Sequence, residues 1–154
     1  MFRHIRPGLS PTSGAGARGF GGRWNPPDSF PVLYTGLTVA TVEAELVRHV
    51  LRSNLELTDL LPRVIYTLEV RMSSVVDLRD EASLVAVGLA MDDVTSDDLS
   101  ACQAVGEAVH KLGREGILAP SATGSGDVLA IFELNLRSHS SVQPAGYVDW
   151  RPAV

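Results

Sequence analysis

The chain has 154 residues and a mass of 16.5 kDa, a size that predicts one domain spanning residues 1–154. The formal net charge of −5 argues against nucleic acid or an anionic membrane as the main partner, because binding phosphates requires clustered lysines and arginines. The single cysteine, Cys102, excludes an internal disulfide and a cysteine-based zinc site. No apolar run is long enough to span a bilayer and the first residues do not resemble a signal peptide, so we expect a cytoplasmic protein.

Residues 7–31 are unusually rich in glycine and proline. This segment holds six of the 14 glycines and five of the nine prolines, which predicts a long loop rather than a helix or a strand. Loops of this length in compact domains are typically either functional or disordered. Arg18, Phe20, Arg23 and Trp24 lie among the glycines, and this composition favours a functional loop.

After the loop, hydrophobic periodicity predicts strands and a helix. Residues 31–35 form a short apolar run that is typical of a buried strand. Between about residues 39 and 53, apolar residues recur on one side of a helix, and Thr38 stands at the expected N-cap position. Residues 63–72 alternate between apolar and polar types, as in a strand that residues 74–78 extend or bend.

The second half of the chain predicts further helices and strands. Ser96, followed by two aspartates, marks the expected start of a helix that Gly113 ends. The predicted elements are a short helix at 80–89, a helix at 97–112, strands at 116–119 and 128–136, and an edge strand at 145–150. The strand at 128–136 is almost continuously apolar, so we expect it to be central. Helices and strands interleave without a regular βαβ period, which predicts an α+β fold with a mixed or antiparallel sheet and flanking helices.

Two residues in or near the loop are candidates for ligand binding. Arg23 follows two glycines, and a guanidinium beside glycines can bind a phosphate or carboxylate bidentately. Taken alone, this pattern is more often a solvated arginine on a flexible loop. Tyr34 is either a half-buried core aromatic whose hydroxyl finds a partner, or a platform for a planar ring. The letters G-x-G-x-x-G at residues 14–19 do not indicate a dinucleotide fold, because no predicted strand precedes them and no predicted helix follows.

The helix at 39–53 carries three further candidates. Glu45 and His49 are four residues apart and share a face beside the apolar arc, where they could form a surface pair or face a cleft. Glu43 falls near the middle of the apolar arc, so its carboxylate must be hydrogen-bonded or ion-paired. Glu45 and His49 alone do not make a metal site, and no H-E-x-x-H motif is present, so we expect no metal.

Ser121 follows Pro120 at the end of a predicted strand. It lacks the G-x-S-x-G elbow of serine hydrolases, which argues against a nucleophile. Its ordinary role is that of a turn residue.

The order and spacing of these fragments form a recognisable pattern over about residues 2–136. The segments that carry it are Phe2-Arg3, Gly21-Gly-Arg23-Trp-Asn25, Leu33-Tyr34-Thr35, Glu45-Leu-Val-Arg-His49, Ala119-Pro-Ser121-Ala122 and Leu129-Ala-Ile-Phe-Glu-Leu-Asn135. Together they resemble the RES domain, the toxin family of RES–Xre toxin–antitoxin pairs.

This resemblance implies a fold similar to ADP-ribosyltransferase toxins and an enzyme that consumes NAD⁺ by hydrolysis, by phosphorolysis or by transfer of ADP-ribose to a protein. It implies an Xre-like antitoxin as partner, while the net charge and the lack of a long apolar run already argue against a nucleic acid or a membrane. Arg3 would contact the phosphates of NAD⁺. Glu45 would be the key carboxylate, Arg23 and Tyr34 would hold the dinucleotide, and Ser121 would support the site.

A carboxylate suits this chemistry, because breaking the nicotinamide–ribose bond develops positive charge on the sugar. Two other functions stay open at this point. One is a non-catalytic RES-like module that binds a nucleotide or a partner protein. The other is a structural or interaction domain whose glycine-rich loop is disordered.

Overall fold

The computed structural model describes residues 1–152, and its centre is one seven-stranded mixed sheet. The strands are β1 (Phe2–Ile5), β2 (Val32–Gly36), β3 (Arg63–Arg71), β4 (Val75–Asp77), β5 (Gly116–Pro120), β6 (Asp127–Phe132) and β7 (Ser141–Trp150). Their order is β4-β5-β6-β2-β1-β3-β7. Only β4 and β5 pair in parallel among the described strands. The predicted α+β class is confirmed, β6 is interior, and β7 is an edge strand.

Five α-helices flank this sheet in the described part of the chain. They are α1 (Ala15–Phe20), α2 (Val39–Arg52), α3 (Glu81–Ala86), α4 (Met91–Thr95) and α5 (Ser100–Lys111). Two short 3-10 helices span Leu57–Leu60 and Glu133–Asn135. The predicted cap of α2 is confirmed, because the Oγ1 of Thr38 accepts a hydrogen bond from the N–H of Thr41 at 3.1 Å. No helix among residues 1–152 is both long and apolar enough to cross a bilayer.

Several predicted boundaries were wrong. The edge strand predicted at 145–150 begins at Ser141, and the helix predicted at 80–89 spans only Glu81–Ala86. The segment predicted as loop between 7 and 31 contains α1, so it is not free of helix. The helix expected from residue 97 begins at Ser100, because Ser96 and Asp98 use their side chains in turns. The Ser96 hydroxyl oxygen accepts from the N–H of Asp98, and the Asp98 carboxylate accepts from the N–H of Ser100, each at 3.0 Å. The strand predicted to residue 136 ends at 132, where a 3-10 turn begins.

The main hydrophobic core lies between one side of the sheet and helices α3 to α5. Trp24, which belongs to the glycine-rich segment, is one of its largest members and is fully buried. Gly106 of α5 faces it, and a Cβ at this position would collide with the Trp24 carbonyl oxygen. Only glycine permits this close approach, so the segment from 21 to 25 is held directly against α5. A second cluster packs Leu46 and Val50 of α2 against β3 and β7.

The residue before β5, Glu115, is a buried carboxylate surrounded by hydrogen-bond donors. It accepts from the backbone N–H groups of Ser73 and Ser74, each at 2.8 Å, and from that of Arg137 at 2.9 Å. The Ser140 hydroxyl donates to the same carboxylate. Burial by itself raises the pKa of Glu115, but these hydrogen bonds outweigh burial and lower the pKa to about 2. Glu115 therefore joins three separate segments of the chain.

We expect Glu115 to make the protein sensitive to acid. Its folded-state pKa of about 2 lies below the ordinary value of 4.5, so its stabilisation is full above that value and is lost as the pH falls towards 2. Glu115→Gln should lower the free energy of unfolding at neutral pH by roughly 2–4 kcal/mol, because one accepting oxygen becomes an NH2 group that faces buried donors. Urea unfolding at neutral pH and at about pH 3 measures both effects. The exposed Glu69→Gln is the matched control, and equal pH dependence in the parent and in Glu115→Gln would contradict this role.

Candidate active site

A cleft of about 630 Å³ opens between α2, strands β1 and β2, and the glycine-rich segment. Its walls are strongly basic, although the chain as a whole is acidic. Within residues 1–152 its lining includes four arginines but only one carboxylate: Arg3, Arg23, Arg48, Arg52 and Glu45. Four of the five predicted site residues, Arg3, Arg23, Tyr34 and Glu45, therefore line a single cleft, and Ser121 lies directly behind it.

Glu45 is held in one orientation by the turn after β5. Its Oε1 accepts a hydrogen bond from the Ser121 hydroxyl at 2.6 Å and from the N–H of Ala122 at 3.1 Å. Its Oε2 makes no hydrogen bond with any residue from 1 to 152. The protein thus fixes one carboxylate oxygen of a side chain that lines the cleft.

Ser121 is fully buried and supports this carboxylate. Its hydroxyl oxygen also accepts from the N–H of Thr123 at 3.1 Å, which closes a tight turn. The turn is further fixed by the N–H of Ser121, which donates to the Gly126 carbonyl at 2.9 Å. The predicted turn role is confirmed, and the contact with Glu45 is an addition that the sequence pattern did not reveal.

The neighbouring Glu43 points away from the cleft. Its Oε1 accepts a hydrogen bond from the indole N–H of Trp150 at 2.7 Å, which ties α2 to the last strand. The prediction that this carboxylate must be hydrogen-bonded is confirmed. The helical register that separates Glu43 from Glu45 is correct, because only Glu45 of the two lines the cleft.

Arg23 is held by backbone carbonyls rather than left solvated. Its Nη1 donates to the carbonyl of Asp93 at 3.2 Å and its Nη2 to that of Ser96 at 2.9 Å. The glycine-rich segment is thereby fastened to the end of α4. Its guanidinium still lines the cleft and keeps its charge, because carbonyl acceptors are neutral.

Tyr34 contributes its ring to the cleft and its hydroxyl to the glycine-rich segment. The hydroxyl accepts from the N–H of Trp24 and donates to the Oδ1 of Asn25, both at 2.8 Å. Burial raises the pKa of Tyr34, so the hydroxyl stays protonated and able to donate. Of the two sequence interpretations, the partnered core hydroxyl is confirmed. The glycine at 22 is needed because a Cβ there would collide with the Tyr34 ring.

Strand β1 brings Arg3 and His4 to the cleft. Arg3 donates from Nη1 to the Pro11 carbonyl at 2.9 Å, and burial lowers its pKa while the nearby Glu133 opposes that shift. His4 has a buried Nδ1 without a partner among residues 1–152. Burial first, and then nearby positive charge, lowers the pKa of His4 to about 3, so its ring is neutral at physiological pH.

Arg48 also lines the cleft, although the sequence pattern did not indicate it as a candidate. It donates to the carbonyl of Thr95 at 2.7 Å, to the carboxylate of Asp97 at 2.9 Å and to the carbonyl of Ala122. The available signal was its spacing, three residues after Glu45 and hence on the same helix face. No group of three or more His, Cys, Asp or Glu side chains within the described chain is arranged to hold a metal ion.

The Tyr34 hydroxyl should matter for stability. Tyr34→Phe keeps the ring but leaves the N–H of Trp24 and the Oδ1 of Asn25 without their partner, so we expect the free energy of unfolding to fall by roughly 1–3 kcal/mol. The control is Tyr66→Phe, whose hydroxyl makes no hydrogen bond within residues 1–152 and whose loss should change stability by less than about 0.5 kcal/mol. Denaturant unfolding of both variants checks this, and equal losses would contradict the assignment.

Comparison with known proteins shows the family of this chain. The RES domain model matches residues 2–151. NAD(+) phosphorylase MbcT of Mycobacterium tuberculosis and that of Mycobacterium bovis are each 37% identical over 148 residues, covering 90% of this chain and 80% of the relative. A chain in the crystal structure of the M. tuberculosis MbcT–MbcA toxin–antitoxin complex aligns with a TM-score of 0.86 and 35% identity, covering 97% of this chain and 82% of that one. This chain therefore belongs to the RES domain family.

Proposed function

We propose that this protein is a toxin that breaks the nicotinamide–ribose bond of NAD⁺ and transfers ADP-ribose to inorganic phosphate. The mycobacterial relatives are named NAD(+) phosphorylases, and the related structure is a toxin–antitoxin complex. The observation that carries the proposal is Glu45, the one carboxylate that residues 1–152 contribute to the arginine-lined cleft, with its Oε1 fixed by Ser121 and Ala122.

The basic walls suit the charged part of the substrate. Arg3 and Arg23 lie on β1 and on the glycine-rich segment, where their positive charges can bind the two phosphates of the dinucleotide. The Tyr34 ring lines the same cleft and supplies a flat surface on which a ribose or a nicotinamide ring can pack. A cleft of about 630 Å³ is within the range of sites that enclose small molecules and cofactors.

The reaction needs a carboxylate but no acid for the leaving group. When the bond between the ribose C1 and the nicotinamide nitrogen breaks, both electrons go to the nitrogen, and the charged pyridinium leaves as neutral nicotinamide. Positive charge develops on the ribose. Oε2 of Glu45, which makes no hydrogen bond within residues 1–152, stabilises this charge electrostatically. A phosphate oxygen then forms the new bond to C1, and the phosphate proton passes to solvent. Glycosidases need a second carboxyl group to protonate their leaving group, whereas this reaction does not.

Ser121 acts in this scheme as a positioning residue. Its hydroxyl donates to Oε1 of Glu45, which keeps that oxygen from rotating into the cleft. The hydroxyl is buried and its proton is directed to Glu45, so it is not placed to attack the substrate.

The paired variants Glu45→Gln and Glu43→Gln test the proposal. With NAD⁺ and phosphate, the parent should release nicotinamide and form phosphorylated ADP-ribose, both identified by mass spectrometry. Glu45→Gln should lower turnover at least about 100-fold with little change in melting temperature, because it removes the charge that stabilises the ribose. Glu43→Gln should keep its activity and melt at a lower temperature, since the bond to Trp150 is weakened.

Other products would identify the alternatives. Free ADP-ribose would indicate hydrolysis, and labelled protein would indicate ADP-ribosyl transfer. A parent that is stabilised by NAD⁺ but releases no nicotinamide would be a binding module, and the proposed activity would be wrong.

We further propose that an antitoxin carrying an Xre-like helix-turn-helix domain covers the mouth of this cleft. Cleavage of NAD⁺ without an inhibitor would harm the cell that makes the enzyme. The related toxin is found in a complex with its antitoxin. Phe20, at the end of α1, is 91% exposed, and Leu51 of α2 is 75% exposed. Phe20 is followed by Gly21 and Leu51 by Arg52, and both of these residues line the cleft. A partner that covers the cleft would therefore bury both apolar side chains.

Expression of this protein without an antitoxin should be toxic, and the toxicity should depend on Glu45 in the cleft. In a bacterial host, induction of the parent should slow growth and lower cellular NAD⁺ at least about tenfold relative to induction of Glu45→Gln, because only the parent turns over the pool. Growth curves and enzymatic NAD⁺ assays on matched cultures provide the measurement. Equal growth and equal NAD⁺ in the two cultures, at equal protein levels, would argue against a toxin.

A further inference from the structure

Beyond the groups assigned to the dinucleotide, the last turn of α2 presents two basic side chains to the cleft. His49 and Arg52 both line it, and both are exposed, so they stand at its rim. With about 100° of rotation per residue, Arg52 and His49 lie only about 20° and 40° from Glu45 around the helix axis. The three residues therefore share one face of α2.

Both side chains have unused hydrogen-bonding groups. Arg52 approaches Asp97 through Nε at 3.1 Å and donates from Nη2 to the Asp97 carbonyl at 3.4 Å, while its Nη1 makes no hydrogen bond to residues 1–152. The His49 ring makes none in the described chain either. Arg48 is different, since both of its Nη atoms are engaged by carbonyls or by Asp97.

Helix geometry directs these groups towards Glu45. Side chains on a helix lean towards its N-terminus, so each covers the turn that precedes it. His49 thus lies over the turn of Glu45, and Arg52 lies over the turn of His49. An anion held between His49 and Arg52 would be adjacent to the carboxylate that faces the ribose.

We propose that His49 and Arg52 form the subsite for the inorganic phosphate that attacks the ribose. This inference rests on the proposed phosphorolysis. Phosphate must approach both the negative Glu45 and the C-terminal end of α2, and each of these repels an anion. The positive charge of the Arg52 guanidinium offsets that repulsion, and its Nη1 group suits a phosphate oxygen. The His49 ring can add a further hydrogen bond to the same anion. Exposure at the rim lets phosphate enter directly from solvent.

A structural role for the same residues makes a different prediction. Basic residues in the last turn stabilise a helix by interacting with its C-terminal carbonyls. If that were their only role, their loss would lower the melting temperature and leave the use of phosphate unchanged.

Steady-state kinetics with inorganic phosphate as the varied substrate separate the two roles. The variants are His49→Gln, Arg52→Gln and the double variant, and NAD⁺ is held at saturation. We expect KM for phosphate to rise at least about tenfold in each single variant and further in the double variant, with KM for NAD⁺ within about twofold of the parent. The control is Arg79→Gln, which removes the same charge at an exposed ion pair with Asp77 outside the cleft lining and should leave both constants unchanged.

The outcomes distinguish this subsite from the proposed function. A phosphate-dependent parent whose variants keep the parental KM for phosphate would overturn the subsite alone, and so would equal increases in both KM values. A parent whose rate does not depend on phosphate, with free ADP-ribose as its product, would overturn phosphorolysis and the subsite together.

Discussion

The contact on which this site depends is between helix α2 and the turn after β5. Glu45 accepts the N–H of Ala122, and Arg48, three residues later on the same face, donates to the carbonyl of Ala122. The two side chains therefore form hydrogen bonds with both the N–H and the carbonyl of Ala122, which is more than 70 positions away in the sequence. The Ser121 hydroxyl donates a further hydrogen bond to Glu45. This arrangement fixes the helix and the turn relative to each other, so the remaining oxygen of Glu45 has a defined position before any ligand arrives.

The glycine-rich segment obtains its order from outside itself. The Gly22 carbonyl accepts a hydrogen bond from the side-chain amide of Gln103 at 3.0 Å. Arg23 donates to the Ser96 carbonyl, and the Tyr34 hydroxyl accepts from the N–H of Trp24. Residues that look like ligand contacts in the sequence thus also maintain the wall that they belong to. A substitution at Tyr34 consequently changes the shape of the cleft as well as its surface, and activity loss by itself does not establish contact with substrate.

Local patterns predicted much of the fold and part of the site. The cap at Thr38 and the apolar periodicity located α2, and the same helical register separated Glu43 from Glu45. The four-residue strand β1 has too few residues for periodicity to reveal it, and α1 lies among glycines, which disfavour helices. The Glu115 network and the anchoring of Arg48 join residues that are distant in sequence, and no spacing rule connects them. Tertiary hydrogen bonds of this kind are visible only in the folded chain.

The net charge of −5 did not exclude a strongly basic cleft, and the reason lies in how its arginines are held. Arg3 bonds to the Pro11 carbonyl, and Arg23 bonds to two further carbonyls. A neutral carbonyl orients a guanidinium without cancelling its charge. A carboxylate partner orients the guanidinium and also cancels its charge. Asp97 is the one carboxylate that pairs with cleft arginines in the described chain, and it is 70% exposed, so solvent weakens its effect. The cleft therefore keeps a positive potential suited to a dinucleotide and a phosphate, while acidic residues elsewhere set the charge of the whole protein.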